Sequence, residues 1–169
     1  MTAMGHSTLA GVNAYILLGD PSYLEASLSA YYPFVDRIHV SYDRTHTSWT
    51  GTPLPIQQCM DVVKKVDVEG KCVLTPGDFA RLDETPLAND TFQRQSALAE
   101  ASDGADWVLQ LDTDEVMAAP HVFFEMLARA NEAGADGLEF PSRWLYTRAG
   151  PSRYLAAVSR CWRPEASYP

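Results

Sequence analysis

The feature that most limits the fold is a short apolar run that ends in three acidic residues, at 106–115 (DWVLQLDTDE). The run is too short for a helix and apolar at successive positions, which is typical of a parallel strand covered on both faces. We therefore predict a central strand at 106–111. Ligands of open α/β sheets bind beyond the carboxyl ends of the strands, and Asp112, Asp114 and Glu115 follow this strand directly.

These acidic residues suggest a metal site. Two carboxylates spaced i and i+2, where the chain leaves a strand, can converge on Mg²⁺ or Mn²⁺, and phosphate oxygens often complete the coordination of such an ion. The chain contains 13 Asp, so about one Asp-x-Asp pair is expected by chance and the spacing alone carries no information. The position of the pair after a strand favours a metal–phosphate site over a solvated loop.

Strand-like runs alternate with helical patterns through the chain. We predict strands at 12–18, 37–43, 71–75, 106–111 and 136–140, and helices from 21, around 56–63, at 91–102 and from 120. Asp20 and Pro21 predict the N-cap and first residue of the first helix. The alternation predicts an α/β fold with a mostly parallel sheet, helices on both faces and right-handed crossovers.

Arg94 conflicts with the predicted secondary structure. We predict a loop at 79–90, with Asn89 or Asp90 as the N-cap of the third helix. Arg94 would then lie in the first turn, where acidic residues are preferred. A phosphate contact and a salt bridge to Asp78, Asp83 or Glu84 explain this position equally well.

Composition narrows the class of protein. A chain of 169 residues can build one core, and a net charge of −9 argues against general nucleic-acid binding. No apolar run is long enough for a transmembrane segment, although peripheral membrane contact stays open. Three cysteines without a CxxC pattern favour a reducing compartment, so we expect a cytoplasmic location that includes the inner face of the membrane.

Three neighbouring features carry a family resemblance: Gln93-Arg94, the Ala-rich helix that follows, and the run 106–116. Together they resemble the family 2 type of GT-A glycosyltransferase, and more narrowly its Asp-x-Asp-Glu branch, which includes enzymes of cell-surface polysaccharide and lipopolysaccharide core assembly. The resemblance implies a Rossmann-like GT-A domain that binds a nucleotide-diphosphate sugar, with a UDP-sugar favoured. We place this domain at 11–141, after a loose leader at 1–10 and before an Arg- and aromatic-rich segment at 142–169.

The resemblance also implies roles for residues on the nucleotide side of the site. Asp20 would lie near the nucleotide, Asp43 would bind the base or ribose, and Asp78 would lie near the base. Arg94 would hold the nucleotide or its phosphates.

The same resemblance implies roles on the metal side. Asp112 would bind the ribose or reach the metal through water, and Asp114 would coordinate Mn²⁺ or Mg²⁺ bridging the diphosphate. Glu115 would support this site or serve as an additional ligand. The activity implied is metal-dependent transfer of a sugar to a hydroxyl of a carbohydrate or glycolipid acceptor, with inversion favoured.

An inverting enzyme needs a carboxylate base for the acceptor hydroxyl, which in this family lies well downstream of the metal motif. Glu139 is the only carboxylate on a predicted strand there, and it is our candidate. The downstream region is short, so we expect a shortened acceptor region and keep a non-catalytic nucleotide-sugar-binding domain as the alternative. A sugar-phosphate nucleotidyltransferase is disfavoured, because 17–21 (LLGDP) lacks the basic loop of that class.

Overall fold

The structure is a computed structural model that describes residues 11–140, 142–151 and 153–158. The predicted leader at 1–10 and the end of the C-terminal segment at 159–169 lie outside the described residues. The chain divides into two compact units between Phe124 and Glu125. None of the described helices has the length and hydrophobicity needed to cross a bilayer.

The first unit is built on a four-stranded sheet whose neighbouring strands are all parallel. The strands are β1 (Val12–Leu17), β2 (Arg37–Asp43), β3 (Cys72–Gly77) and β4 (Trp107–Gln110). The connecting helices are α1 (Leu24–Tyr31) with a 3-10 turn (Tyr32–Phe34), α2 (Ile56–Val66) and α3 (Pro86–Ala101). The strand order β3-β2-β1-β4 is that of a Rossmann-like sheet, which confirms the predicted α/β fold.

Helices cover both faces of this sheet. Tyr15 of β1 clusters with Ala97 and Ala101 of α3, so the alternation of side chains along a strand turns Ile16 to the opposite face. From β1 the chain runs through α1 to the neighbouring β2 and through α2 to β3. It then returns through α3, past β2 and β1, to β4 on the other side of β1. Right-handed crossovers in opposite directions place helices on opposite faces. The apolar face predicted for the second helix is confirmed, since Ile56 and Cys59 are fully buried.

The prediction that 106–111 is a central strand is wrong. β4 pairs with β1, and among the described residues it forms an edge of the sheet. The apolar pattern is consistent with cover on both faces of the strand: Leu109 is buried, and Val108, which points to the opposite face, packs against the cluster around Tyr15. Burial of the two faces does not depend on how many neighbouring strands are present, so the pattern could not distinguish edge from centre.

Two predicted helix starts are also wrong. α1 begins at Leu24 rather than at Pro21, because the Asp20 carboxylate accepts hydrogen bonds from the backbone and hydroxyl of Ser22 and closes a local turn instead. α3 begins at Pro86, earlier than predicted, with Thr85 as its N-cap. Arg94 therefore lies in the third turn of α3, and the conflict with the helix dipole disappears.

The second unit contains most of α4 (Pro120–Glu132) and an antiparallel pair, β5 (Arg143–Gly150) and β6 (Arg153–Val158). The strand predicted at 136–140 is absent, and these described residues are irregular and mostly exposed. This segment is short and contains Gly137, and its side chains bury too little surface to stabilise an extended conformation. Pairing is found instead in the C-terminal segment.

Candidate functional site

The candidate site is a cleft of about 480 Å³ at the carboxyl end of the sheet in the first unit. It lies beyond β1, β2 and β4. The crossovers that leave β1 and arrive at β4 run over opposite faces, which is the topological switch point where ligands bind in such sheets. The described residues that line it follow these strands or belong to α3: Leu17, Leu18, Gly19, Asp20, Asp43, Thr47, Ser48, Trp49, Leu54, Gln93, Arg94, Asp112, Thr113 and Asp114.

The cleft brings together five of the eight residues proposed from the sequence, namely Asp20, Asp43, Arg94, Asp112 and Asp114. They converge although they are distant along the chain, because the carboxyl ends of parallel strands meet at one edge of a sheet. The other three, Asp78, Glu115 and Glu139, do not line the cleft.

Arg94 forms the basic centre of the cleft. Its Nε donates to Asp90 Oδ1 at 2.7 Å and its Nη2 donates to Asp112 Oδ2 at 3.2 Å. Nη1 is buried and lies 3.0 Å from Asp112 Oδ1, an ion-pair distance without hydrogen-bond geometry. Burial would lower the pKa of Arg94, but the Asp112 and Asp90 carboxylates outweigh it and raise the pKa. The guanidinium is therefore a fixed positive charge with donor capacity to spare.

The acidic turn after β4 is closed on itself. The backbone N–H of Asp112 donates to Glu115 Oε2 at 3.0 Å, and the Glu115 N–H donates to the Asp112 carbonyl at 3.0 Å. Thr113 is buried, whereas Asp114 is exposed. Asp114 is thus left exposed at the cleft, whereas the Glu115 side chain helps to hold the shape of the turn.

The residues fit a cation that binds together with a phosphate ligand. Among the described residues, no three His, Cys, Asp or Glu side chains are grouped as a metal site. Asp112 and Asp114 supply two carboxylates, and the first is already paired with Arg94. Mg²⁺ is commonly held by one or two carboxylates with substrate phosphates completing its coordination, which matches this donor set.

Asp43 is anchored more firmly than the sequence suggested. It is 5% exposed, and its carboxylate accepts hydrogen bonds from the backbone and hydroxyl of Thr45, at 2.9 and 2.5 Å, and from the N–H groups of Phe79 and Ala80, at 2.7 and 2.8 Å. Burial would raise the pKa of Asp43, but these hydrogen bonds lower it. The carboxylate thereby ties the loop after β2 to the loop after β3, and its predicted contact with base or ribose stays a prediction.

Two predicted site residues lie elsewhere. Asp78 is exposed and paired with Arg44, whose Nη1 is 3.2 Å from its Oδ1. Glu139 is exposed in the irregular part of the second unit. Asp20 borders the cleft, and its hydrogen bonds from Ser22 lower its pKa.

Sequence reasoning missed Trp49 and the role of Gln93. Trp49 is half-buried in the loop after β2, and its Nε1 donates to Gln93 Oε1 at 2.8 Å. Gln93 Nε2 in turn donates to Ser41 Oγ at 3.2 Å. A tryptophan in a polar loop that follows a predicted strand end was the available signal.

The arrangement can hold an anionic ligand against Arg94 and a cation at Asp114, beside an aromatic side chain. Comparisons with family models, curated proteins and solved structures find no match to this chain, so the assignment of a function rests on the residues of the cleft.

Proposed function

We propose that the cleft binds a nucleotide-diphosphate sugar with Mn²⁺ or Mg²⁺, and that the protein is a glycosyltransferase of GT-A type. The observation that carries this proposal is the placement of Asp112, Asp114 and Arg94 together at the switch point of the sheet. A UDP-sugar is the favoured donor, and the acceptor is a hydroxyl of a carbohydrate or glycolipid.

The charge of the cleft supports a ligand that binds with a cation. The described lining residues include four Asp, and Arg94 is the only basic residue among them. A diphosphate beside these carboxylates would be repelled unless further positive charge entered with it. A divalent ion held by Asp114 would supply this charge, and its chemistry would be to stabilise the diphosphate as a leaving group.

The chain's own residues divide the remaining work. Arg94 would donate to phosphate oxygens once a ligand draws its guanidinium away from Asp112, and Asp114 would ligate the cation from its exposed position. Asp112 would orient Arg94 and reach the cation once a phosphate draws Arg94 away. Glu115 would keep the turn closed, so that Asp114 stays directed at the ligand.

One observation favours the alternative of a nucleotide-sugar-binding domain without transfer. Asp43 and Asp112 are engaged by internal partners, and Asp114 is assigned to the cation. Of the described cleft carboxylates this leaves Asp20, whose lowered pKa makes it a poor general base. Turnover with a panel of UDP-sugars and acceptor sugars decides between the two functions, because the binding domain would release no UDP above the background rate.

Calorimetric titration of UDP, GDP and CDP with and without Mn²⁺ tests the site. We expect Mn²⁺ to strengthen binding of one nucleotide, and Asp114→Asn to weaken that metal-dependent binding by about tenfold or more, equivalent to about 1.4 kcal/mol. Asp83→Asn, at an exposed position outside the cleft, is the matched control. The site assignment fails if Asp114→Asn binds nucleotide and Mn²⁺ as tightly as the parent protein.

A further inference from the structure

The loop after β2 forms a small hairpin over residues 46–54. The Leu54 N–H donates to the His46 carbonyl at 2.8 Å, and the Ser48 N–H donates to the Thr52 carbonyl at 2.7 Å. Gly51 closes the turn with a φ of 84°, a conformation that favours glycine. This hairpin carries Trp49 at the wall of the cleft.

A buried chain of hydrogen bonds orients the Trp49 side chain. The indole Nε1 can only donate, so the Gln93 atom that it meets at 2.8 Å must be the carbonyl oxygen. This fixes the orientation of the amide, whose Nε2 then donates to Ser41 at 3.2 Å. We call the chain of hydrogen bonds from Trp49 through Gln93 to Ser41 the brace. Gln93 and Ser41 are only 4% and 1% exposed, so the brace lies within the core and restricts rotation of the indole.

The brace determines which part of Trp49 is available to a ligand. The only polar atom of the indole is satisfied inside the protein, and Trp49 lines the cleft, so we infer that the part of the indole open to a ligand is its apolar ring. Gln93 uses both ends of its amide, and the Asp43 carboxylate accepts four internal hydrogen bonds. A ligand base that enters this side of the cleft therefore meets an aromatic surface and few unoccupied hydrogen-bonding groups.

The geometry points to Trp49 as the platform on which the nucleotide base stacks, with Gln93 as the positioning residue that holds it. This inference rests on the proposed function, and it moves recognition of the base from Asp43 and Asp78 to Trp49. Stacking of a base on an aromatic side chain tolerates any base, because each has a π face. The specificity for one base would then come from other groups.

The test compares UDP with pyrophosphate, both titrated calorimetrically in Mn²⁺. Trp49→Ala is expected to weaken UDP binding by about 5- to 150-fold, the range of base–aromatic stacking, and to leave pyrophosphate binding unchanged. Trp49→Phe keeps an aromatic surface and should restore most of the UDP affinity. Leu87→Ala, at a side chain 73% exposed outside the cleft, is the control.

Gln93→Met provides the readout for positioning. It removes both hydrogen bonds of Gln93 and substitutes an apolar side chain of similar length, and it should weaken UDP binding but not pyrophosphate binding. Thermal unfolding of each variant establishes that it is folded.

Three results would overturn the inference. Unchanged UDP affinity in Trp49→Ala would show that no base stacks there. Equal losses for UDP and pyrophosphate would show that Trp49 only shapes the cleft. The third result concerns uridine, titrated in the same way. If the parent protein binds uridine but neither UDP nor pyrophosphate, and Trp49→Ala still binds uridine, both the proposed diphosphate site and the Trp49 platform are overturned. If Trp49→Ala instead loses uridine binding, only the diphosphate site is overturned and the platform is supported.

Discussion

Replacement of Asp43 by Asn tests whether this carboxylate ties the loop after β2 to the loop after β3. The Asp43 carboxylate accepts hydrogen bonds from two groups of Thr45 and from the N–H groups of Phe79 and Ala80. Asn offers one oxygen and one NH₂ group in the same space. Whichever way the amide turns, at least one backbone N–H faces another donor.

The structure indicates the size of the loss. The favourable orientation keeps the amide oxygen on Phe79 and Ala80, and it lets the Thr45 hydroxyl rotate to accept from the NH₂ group. The Thr45 N–H is then left without a partner. The two retained hydrogen bonds become weaker, because their acceptor is a neutral amide oxygen instead of a carboxylate. An unpaired donor costs about 1–3 kcal/mol, so we expect a total loss of about 3 kcal/mol from the free energy of unfolding.

Urea unfolding as a function of pH is the assay. The pKa of Asp43 is lowered in the folded protein, so its carboxylate contributes stability that is present above its unfolded pKa, near 3.8. This contribution is lost as the pH falls through the folded pKa. The stability difference between parent and Asp43→Asn should therefore be largest at neutral pH and should shrink below about pH 4.

Asp20→Asn is the matched control. Asp20 accepts from the backbone and hydroxyl of Ser22, as Asp43 does from Thr45, but it is exposed and has no counterpart to the hydrogen bonds from Phe79 and Ala80. Comparable losses of unfolding free energy in the two variants would refute the reasoning, because the hydrogen bonds from Phe79 and Ala80 would then contribute no additional stability. A stability difference that does not change with pH would refute it too.

Two further substitutions test local features of the fold. Thr85→Ala removes the side chain that accepts from the Ala88 N–H at the start of α3; it should lower the free energy of unfolding by about 1 kcal/mol in urea, and an unchanged midpoint would contradict the N-cap assignment. Gly77→Ala would place a Cβ within the volume of the buried Phe79 ring; we expect about 1–3 kcal/mol of destabilisation, and reversal of this loss by Phe79→Leu in the same chain would identify the overlap as its cause.

Much of the fold could be predicted because it depends on local patterns. Strands β1 to β4 follow short apolar runs, and the buried face of α2 follows the spacing of Ile56, Cys59 and Val63. Knowing that the strands are parallel is enough to bring their carboxyl ends to one edge. The clustering of Asp20, Asp43, Asp112 and Asp114 around one cleft follows from that.

The remaining features depend on contacts between distant residues. Trp49 meets Gln93 across 44 positions, and Asp43 receives donors from residues 36 and 37 positions away. No periodicity encodes these pairs. The start of α3 is ambiguous in the sequence for a different reason: Thr85-Pro86 is a good helix start, but Asn89 and Asp90 offer the same capping chemistry a few residues later.

The pairing of Arg94 with Asp112 gives the proposed site a further property. The terminal nitrogens of the Arg94 guanidinium, which would meet a phosphate, now face the Asp112 carboxylate. Under the proposed function, a diphosphate that engages Arg94 would free Asp112 to face a cation, and Asp112 and Asp114, if they held a cation, would in turn leave Arg94 free for the diphosphate. Because linkage is reciprocal, each ligand must strengthen binding of the other by the same factor. A cleft with four carboxylates and one paired arginine is thus suited to take up metal and diphosphate together rather than either alone.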